Sequence, residues 1–351
     1  MIFLKKNVLV LFGGVSSEHA VSCVSAANIC SRIDTDRFEL LRVGITRDGV
    51  WWLYTGPFER MKDESWEKDT ENLTAAILSP CTVHHGLLLP RDGCRTVRVD
   101  VIFPVLHGKN GEDGRIQGLA ALAGIPCVGC DTYSSAVCMN KAAAKLLAFS
   151  AGVESTPFLQ FTAKERDLVS ETVAASLEFP VFVKPVNGGS SIGISKVKAE
   201  NELETAFDEA LKYDDSVIIE QGVYGKEIEV AVMGREDPVA SGCGEIVAGT
   251  EFYDYDNKYV DDTAKLFIPA RLEPETAQAV RDAALRVYGA LGCKGLARVD
   301  FFVTEENEVL FNEINTLPGF TPISMYAKLF EYEGISQEKL VNGLIDAELE
   351  K

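Results

Sequence analysis

Apolar and polar positions along this chain follow two periods that alternate. Residues 7–14, NVLVLFGG, are an apolar run closed by two glycines, which predicts a buried strand running into a loop. Residues 17–33, SEHAVSCVSAANICSRI, then carry helical spacing. FELLRVGIT and WWLYT read as further strands, and VDVIFPVLHG as another that runs into the loop HGKNGEDG. GRIQGLAALAGI reads as a helix and PCVG as a short strand. Strands alternating with helices predict an α/β segment with a parallel sheet and right-handed crossovers. Ligands of such sheets gather at the carboxyl ends of the strands, where FGGVSSE and LHGKNGEDG fall. Residues 58–98 are irregular and charged, and read as an insertion or hairpin on the surface.

SSAVCMNKAAAKLLAFSAG reads as one helix with a glycine cap. Strands FLQF, PVFVKPV, GISKV and VIIEQ follow, with a helix near NELETAFDEALKY. The last part opens with KEIEVAVMG and contains the helix PETAQAVRDAALRVYGALG, giving it α+β character. Breaks near 135 and 225 divide the chain into segments 1–134, 135–225 and 226–351.

The most informative pattern is GLARVDFFVTEENEVLFNEIN, residues 295–315. Two alternating runs flank a polar turn, the signature of a β-hairpin. With the turn centred on Glu306 and Asn307, 300 opposes 313 and 298 opposes 315. Arg298, Asp300, Glu313 and Asn315 then share one face. Opposed carboxylates ~5 Å apart repel by roughly 3 kcal/mol at an effective dielectric of about 20. Bound Mg²⁺, which takes hard oxygen ligands, removes that cost. The residues alone leave a second reading open, a solvated strand face with one acid paired to Arg298. The loop TLPGFTPIS leaves the same square, where a substrate could approach backbone.

Composition narrows the function. The chain has 351 residues, 46% of them hydrophobic, and a formal net charge of −19. Such an acidic surface argues against nucleic acid or membrane lipid as the partner and requires a local positive pocket for any anionic ligand. No apolar run is long enough to span a bilayer, and the opening MIFLKK is too short for a signal peptide. The expectation is a cytoplasmic protein whose nine cysteines are reduced. Cys127 and Cys130 form a lone C-x-x-C and read as buried small side chains rather than a metal site.

VKPVNGGSSIGISKV, residues 183–197, puts its lysine before the glycines and a strand after them. The familiar phosphate loop ends in Gly-Lys-Ser/Thr and opens a helix. The order of a lysine strand, a Gly/Ser loop, R-x-D and N-E-x-N resembles the ATP-grasp ligases. Within them the chain is similar to D-alanine–D-alanine ligases through FGGVSSEHAVS, FPVLHGKNGEDGRIQG, VKPVNGGSSIGISKV, EFYDYDNKY, ARVDFF and NEINTLPGFTPIS. These stretches keep the family's order over nearly the whole chain.

The resemblance implies an ATP-grasp fold: a Rossmann-like parallel-sheet domain, a small central α+β domain carrying the Gly/Ser loop, and a larger C-terminal α+β domain. It implies ATP as substrate, two Mg²⁺ or Mn²⁺, two D-alanines and a homodimer. By position in the motifs, Lys141, Lys184, Ser190, Ser191, Glu220, Glu227, Phe252 and Lys258 would bind ATP. Asp300, Glu313 and Asn315 would hold the metal ions. Glu18, His107, Lys258, Arg298 and Ser324 would bind the amino acids. Glu18, Ser190, Tyr259, Arg298 and the Gly319 N–H would serve catalysis. Two departures are visible: Asn140 stands where Asp is usual before Lys141, and Pro322-Ile323 replaces a more polar pair. D-serine and D-lactate remain alternative acceptors. A non-catalytic dinucleotide module is a weaker alternative, because FGGVSSE lacks G-x-G-x-x-G.

Overall fold

A computed structural model describes residues 5–247 and 265–350. The first apolar run becomes β1 (Lys6–Gly13), with Val8 to Phe12 fully buried. It pairs in parallel with β2 (Phe38–Ile45). β3 (Trp51–Tyr54) and β4 (Leu73–Ala75) extend the edge antiparallel, so the sheet is mixed rather than all parallel. Three short strands, β5 (Ile77–Leu78), β6 (Gly86–Leu89) and β7 (Arg95–Arg98), make a separate small sheet. β8 (Val101–Pro104) then pairs with the other side of β1. PCVG contributes only an isolated bridge from Cys127 to Ile102.

The irregular segment 58–98 is not confined to the surface. Its Trp66 and Met61 are fully buried, and Trp66 meets Phe12 edge-on at 4.9 Å. Gly44 is the reason it fits: a Cβ there would come within 2.4 Å of the Trp66 ring. α1 (His19–Cys30) covers the sheet, followed in sequence by α2 (Phe58–Lys62) and α3 (Arg115–Ala123).

The single helix expected after residue 133 is two: α4 (Thr132–Met139) and α5 (Lys141–Ser150). Asn140 breaks them, because its Oδ1 caps the new helix by accepting from Ala143 N at 2.9 Å. Asparagine caps as well as aspartate, so the departure at this position keeps the local structure. Lys141 thereby sits at the head of α5.

The middle sheet contains β9 (Phe158–Thr162), β10 (Val181–Pro185), β11 (Ser195–Val197) and β12 (Ser216–Gln221) in the order β11-β10-β12-β9, all antiparallel. α6 (Val169–Ser176) and α7 (Leu203–Ala210) pack on it. The last sheet contains β13 (Lys226–Gly234), β14 (Val239–Val247), β15 (Lys265–Phe267), β16 (Gly295–Val303) and β17 (Val309–Asn315), in the order β15-β14-β13-β16-β17. α8 (Pro274–Ala290) packs on one face, joining Val230, Val299, Phe301 and Phe311 in a single core. α9 (Met325–Tyr332) and α10 (Gln337–Leu349) return to the core of β1 and β8. Leu340, Val341, Leu344 and Ile345 of α10 are buried there, worth roughly 2 kcal/mol each. That return holds the loops after β1 and β8 against the open face of the last sheet.

Candidate active site

A cavity of about 310 Å³ lies where these surfaces meet. Glu18, His107, Ser190, Arg298, Glu313 and Gly319 all line it. Its floor is the hairpin. Asp300 opposes Glu313 and Arg298 opposes Asn315, the pairing counted from the sequence. The route to that pairing differs from the expected one. Val303 opposes Val309, so the turn is centred on Glu306, and a bulge at Asn312 restores the count. The bulge also lets Phe311 face the core while Glu313, two residues on, lines the cavity. Apolar Phe311 and Ile314 have opposite parity, which is the sequence signal of the bulge.

The carboxylates are not a bare pair. Arg298 grips Asp300 with a fork, Nε to Oδ1 at 2.8 Å and Nη2 to Oδ2 at 2.6 Å. It also lies 3.1 Å from Glu229, a buried acid opposite Asp300 on β13 that the sequence reading did not single out. Glu227 is two residues away on the same strand, half-buried. Asn315 Nδ2 donates to Asp300 at 3.0 Å, which leaves Oδ1 of Asn315 as its ligand atom. Glu313 lies 3.7 Å from Lys141.

The Gly/Ser loop forms the opposite wall. Lys141 donates to Gly188 O, and its backbone N–H to Val186 O, tying the head of α5 to the loop. Ser190 and Ser191 hold left-handed backbone conformations, with φ of 53° and 59°. The Ser190 hydroxyl is buried and has no hydrogen-bond partner among the described residues. A buried orphan hydroxyl is costly unless a ligand meets it.

Lys184 and Glu220, which do not line the cavity, pair directly at 2.6 Å, and Lys145 lies 3.1 Å from the other Glu220 oxygen. Burial opposes charge on Glu220, yet the two lysines hold its carboxyl down at about 2. Lys145 is a second residue that the sequence reading passed over; within a helix its position looks like any amphipathic lysine.

The remaining wall holds the candidates for the amino acids. Glu18 occupies the N-cap position of α1, but its side chain makes no capping bond. A Cβ at Gly108 would come within 2.8 Å of Glu18 Oε2, and one at Gly189 within 3.5 Å, so both loops approach this carboxylate closely. His107 is buried, and burial holds its imidazole below the ordinary range. The carbonyl of Leu317, 3.0 Å from Nδ1, fixes the proton there, so Nε2 faces Ser25 Oγ. Ser324 caps the turn before α9 by bonding Thr321, and its Oγ lies beside Gly319. Glu112, also unforeseen, accepts from Gly108 N at 2.7 Å and Leu317 N at 3.3 Å. Burial and the neighbouring Glu18 push its carboxyl up to about 8. Phe252, Lys258 and Tyr259 lie outside the described residues.

Family models for the D-ala D-ala ligase N-terminus and C-terminus match residues 7–130 and 147–346. The chain belongs to the D-alanine–D-alanine ligase family. Over 99% of its length it is 46% identical to a D-alanine–D-alanine ligase of Acetivibrio thermocellus, covering 96% of that protein. It is 44% identical to D-alanine–D-alanine ligase A of Escherichia coli K12, with the same coverage. Among solved structures, a VanG D-Ala:D-Ser ligase from Enterococcus faecalis matches with a TM-score of 0.92 and 40% identity, over 98% of this chain and 99% of that one. A D-alanine–D-alanine ligase from Coxiella burnetii matches with a TM-score of 0.87 and 32% identity, over 99% and 94%. The fold is therefore the ATP-grasp fold of this ligase family.

Members of the family imply a divalent cation. Among the described residues no group of three or more His, Cys, Asp or Glu side chains is arranged for a metal. The set that fits is Asp300, Glu313 and Asn315, two carboxylates and a carboxamide oxygen on one face. All nine cysteines are free, and no helix of the described residues is long and apolar enough to cross a membrane.

Proposed function

We infer that this chain joins two D-alanine molecules at the expense of ATP, through a D-alanyl phosphate, to supply D-alanyl-D-alanine for peptidoglycan. One observation carries the reading: Arg298, Glu313 and Asn315 of the hairpin square line one cavity with a Gly/Ser loop whose Ser190 hydroxyl has no partner among the described residues. Lys141, Lys184, Ser190 and Ser191 hold phosphate oxygens, while Glu220 and Glu227 receive the adenine and ribose. Two divalent cations, Mg²⁺ or Mn²⁺, held by Asp300, Glu313 and Asn315 would neutralise the triphosphate when bound.

Glu18 anchors the first ammonium, with His107 beside it. The carboxylate of that D-alanine takes the γ-phosphoryl group, and ADP departs. Arg298, held in place by Asp300 and Glu229, stabilises charge on the transferred group. The amine of the second D-alanine, held through its carboxylate by Ser324, then attacks the acyl carbon. The Gly319 N–H meets the developing oxyanion, and phosphate leaves. Lys258 and Tyr259, outside the described residues, would exclude water from the acyl phosphate.

The reading includes a three-domain division at 1–134, 135–225 and 226–351, a homodimer and a cytoplasmic setting. Phosphate release measured with ATP and a panel of D-alanine, D-serine and D-lactate tests it. Release with D-alanine alone is the expected result; release with D-lactate but not D-alanine at neutral pH overturns it. A second reading, D-alanine–D-serine ligation, is supported by the likeness to the VanG enzyme. The D-serine arm of the panel decides between the two.

A further inference from the structure

Lys145 is fully buried inside the molecule, yet it is not one of the groups assigned to the nucleotide. Its ammonium lies 3.1 Å from Glu220 and donates to Thr156 Oγ1 at 3.0 Å and to Phe311 O at 3.2 Å. Lys184 holds the other Glu220 oxygen at 2.6 Å. Two lysines thus share one buried carboxylate, and the cluster carries one net positive charge.

Lys184 has two demands on it. In the proposed function it meets phosphate, but here it is bonded to Glu220. Leaving Glu220 strands a buried carboxylate, which is strongly unfavourable unless another cation remains. Lys145 is that cation. Its other partners are a hydroxyl and a backbone carbonyl of the protein, so nucleotide arrival does not call it away. Phe311 O belongs to the residue just before the bulge, where the ladder to β16 is interrupted. Lys145 therefore ties α5, with Lys141 at its head, to Glu220 and to the strand that carries Glu313.

We propose that Lys145 is a positioning residue for nucleotide binding, a resident counter-ion that keeps Glu220 ionised and aimed while Lys184 moves to the phosphates. The inference rests on the ATP-ligase reading. It assigns Lys145 no contact with substrate.

Calorimetric titration of ATP into wild type, Lys145→Met, Glu220→Gln and the double variant tests it, with thermal melts as the folding control. Lys145→Met should weaken ATP binding at least about tenfold, because Lys184 can no longer leave a buried carboxylate. The KM for D-alanine should stay within about twofold, since that wall is untouched. In the Glu220→Gln background the same change should weaken ATP less than about threefold, because no carboxylate remains to be compensated. A Lys145→Met protein that binds ATP as wild type does, or loses affinity equally in both backgrounds, overturns the inference. Wild-type protein that binds no ATP overturns the wider reading as well.

Should Lys145→Met fail to fold, inorganic tripolyphosphate binding to Glu220→Gln gives an independent answer. Freed from its carboxylate, Lys184 should bind tripolyphosphate at least about threefold tighter than in wild type. Equal or weaker binding sinks the idea.

Discussion

The cavity and a separate buried cluster handle charge differently. In the buried cluster Lys145, Lys184 and Glu220 are closed in on one another, and every charge has a protein partner. On the cavity face Arg298 holds Asp300 and Glu229, Glu313 lies near Lys141, and the buried Ser190 hydroxyl has no partner among the described residues. The carboxyls record the contrast. Glu220 is held down at about 2 and Glu112, which lines the cavity, is pushed up to about 8. The buried cluster keeps each charged group beside a protein partner and holds one lysine more than its carboxylate needs. The cavity face instead presents Glu313, Asn315 and Ser190 to an incoming ligand.

The sharpest way to break this comparison is Glu313→Gln. Phosphate release should fall at least about a thousandfold, as expected when a group acting on developing charge is lost. The melting temperature should hold, because the glutamate lines the cavity rather than the core. An unfolded variant would show the cavity face to be structural after all. Arg298→Lys comes next. Lysine lacks the planar fork that grips Asp300, so kcat should drop roughly a hundredfold with the charge retained. Full activity in a steady-state assay would remove Arg298 from the chemistry.

Stability against pH sharpens the contrast through its sign. The folded pKa of Glu220 is depressed, so its contribution is complete above about 4.3 and is lost as pH falls toward 2. Glu112 behaves oppositely. Its folded pKa is raised, so the fold holds an extra proton, and stability declines as pH rises from about 4.3 to about 8. Chemical denaturation of Glu112→Gln should lack that decline, and an unchanged slope between pH 5 and 8 would contradict it. The smallest effect belongs to Asp131→Asn. It removes the Lys294 pair but keeps an N-cap for α4, so the loss should be well under about 1 kcal/mol. A larger loss by denaturant titration would give that surface pair more weight than the buried clusters.

Legibility followed the kind of signal each residue leaves. The hairpin square could be counted because strand periodicity is local and opposed residues follow from the turn. The bulge could not be placed by an unbroken count, although the parity change from Phe311 to Ile314 records it. Asn140 interrupts a helical pattern with no glycine or proline to announce it; only its capping bond reveals the break. Trp66 sits in a stretch with no periodicity, and its burial depends on the missing side chain of Gly44 in a distant strand. Glu112, Lys145 and Glu229 escaped for the same reason. Each matters through a partner far away in sequence, and no spacing encodes that.

The bulge at Asn312 has a practical side for protein engineering. Because it absorbs the offset between the tip and the base of the hairpin, the exposed residues 305–308 are insulated from the chemistry below. A peptide epitope or dye-bearing loop could be spliced in at the tip with little cost to turnover. Excising the single residue Asn312 would leave an unbroken ladder in which Phe311 still opposes Phe301 and Glu313 still opposes Asp300, so the cavity-facing set would keep its face.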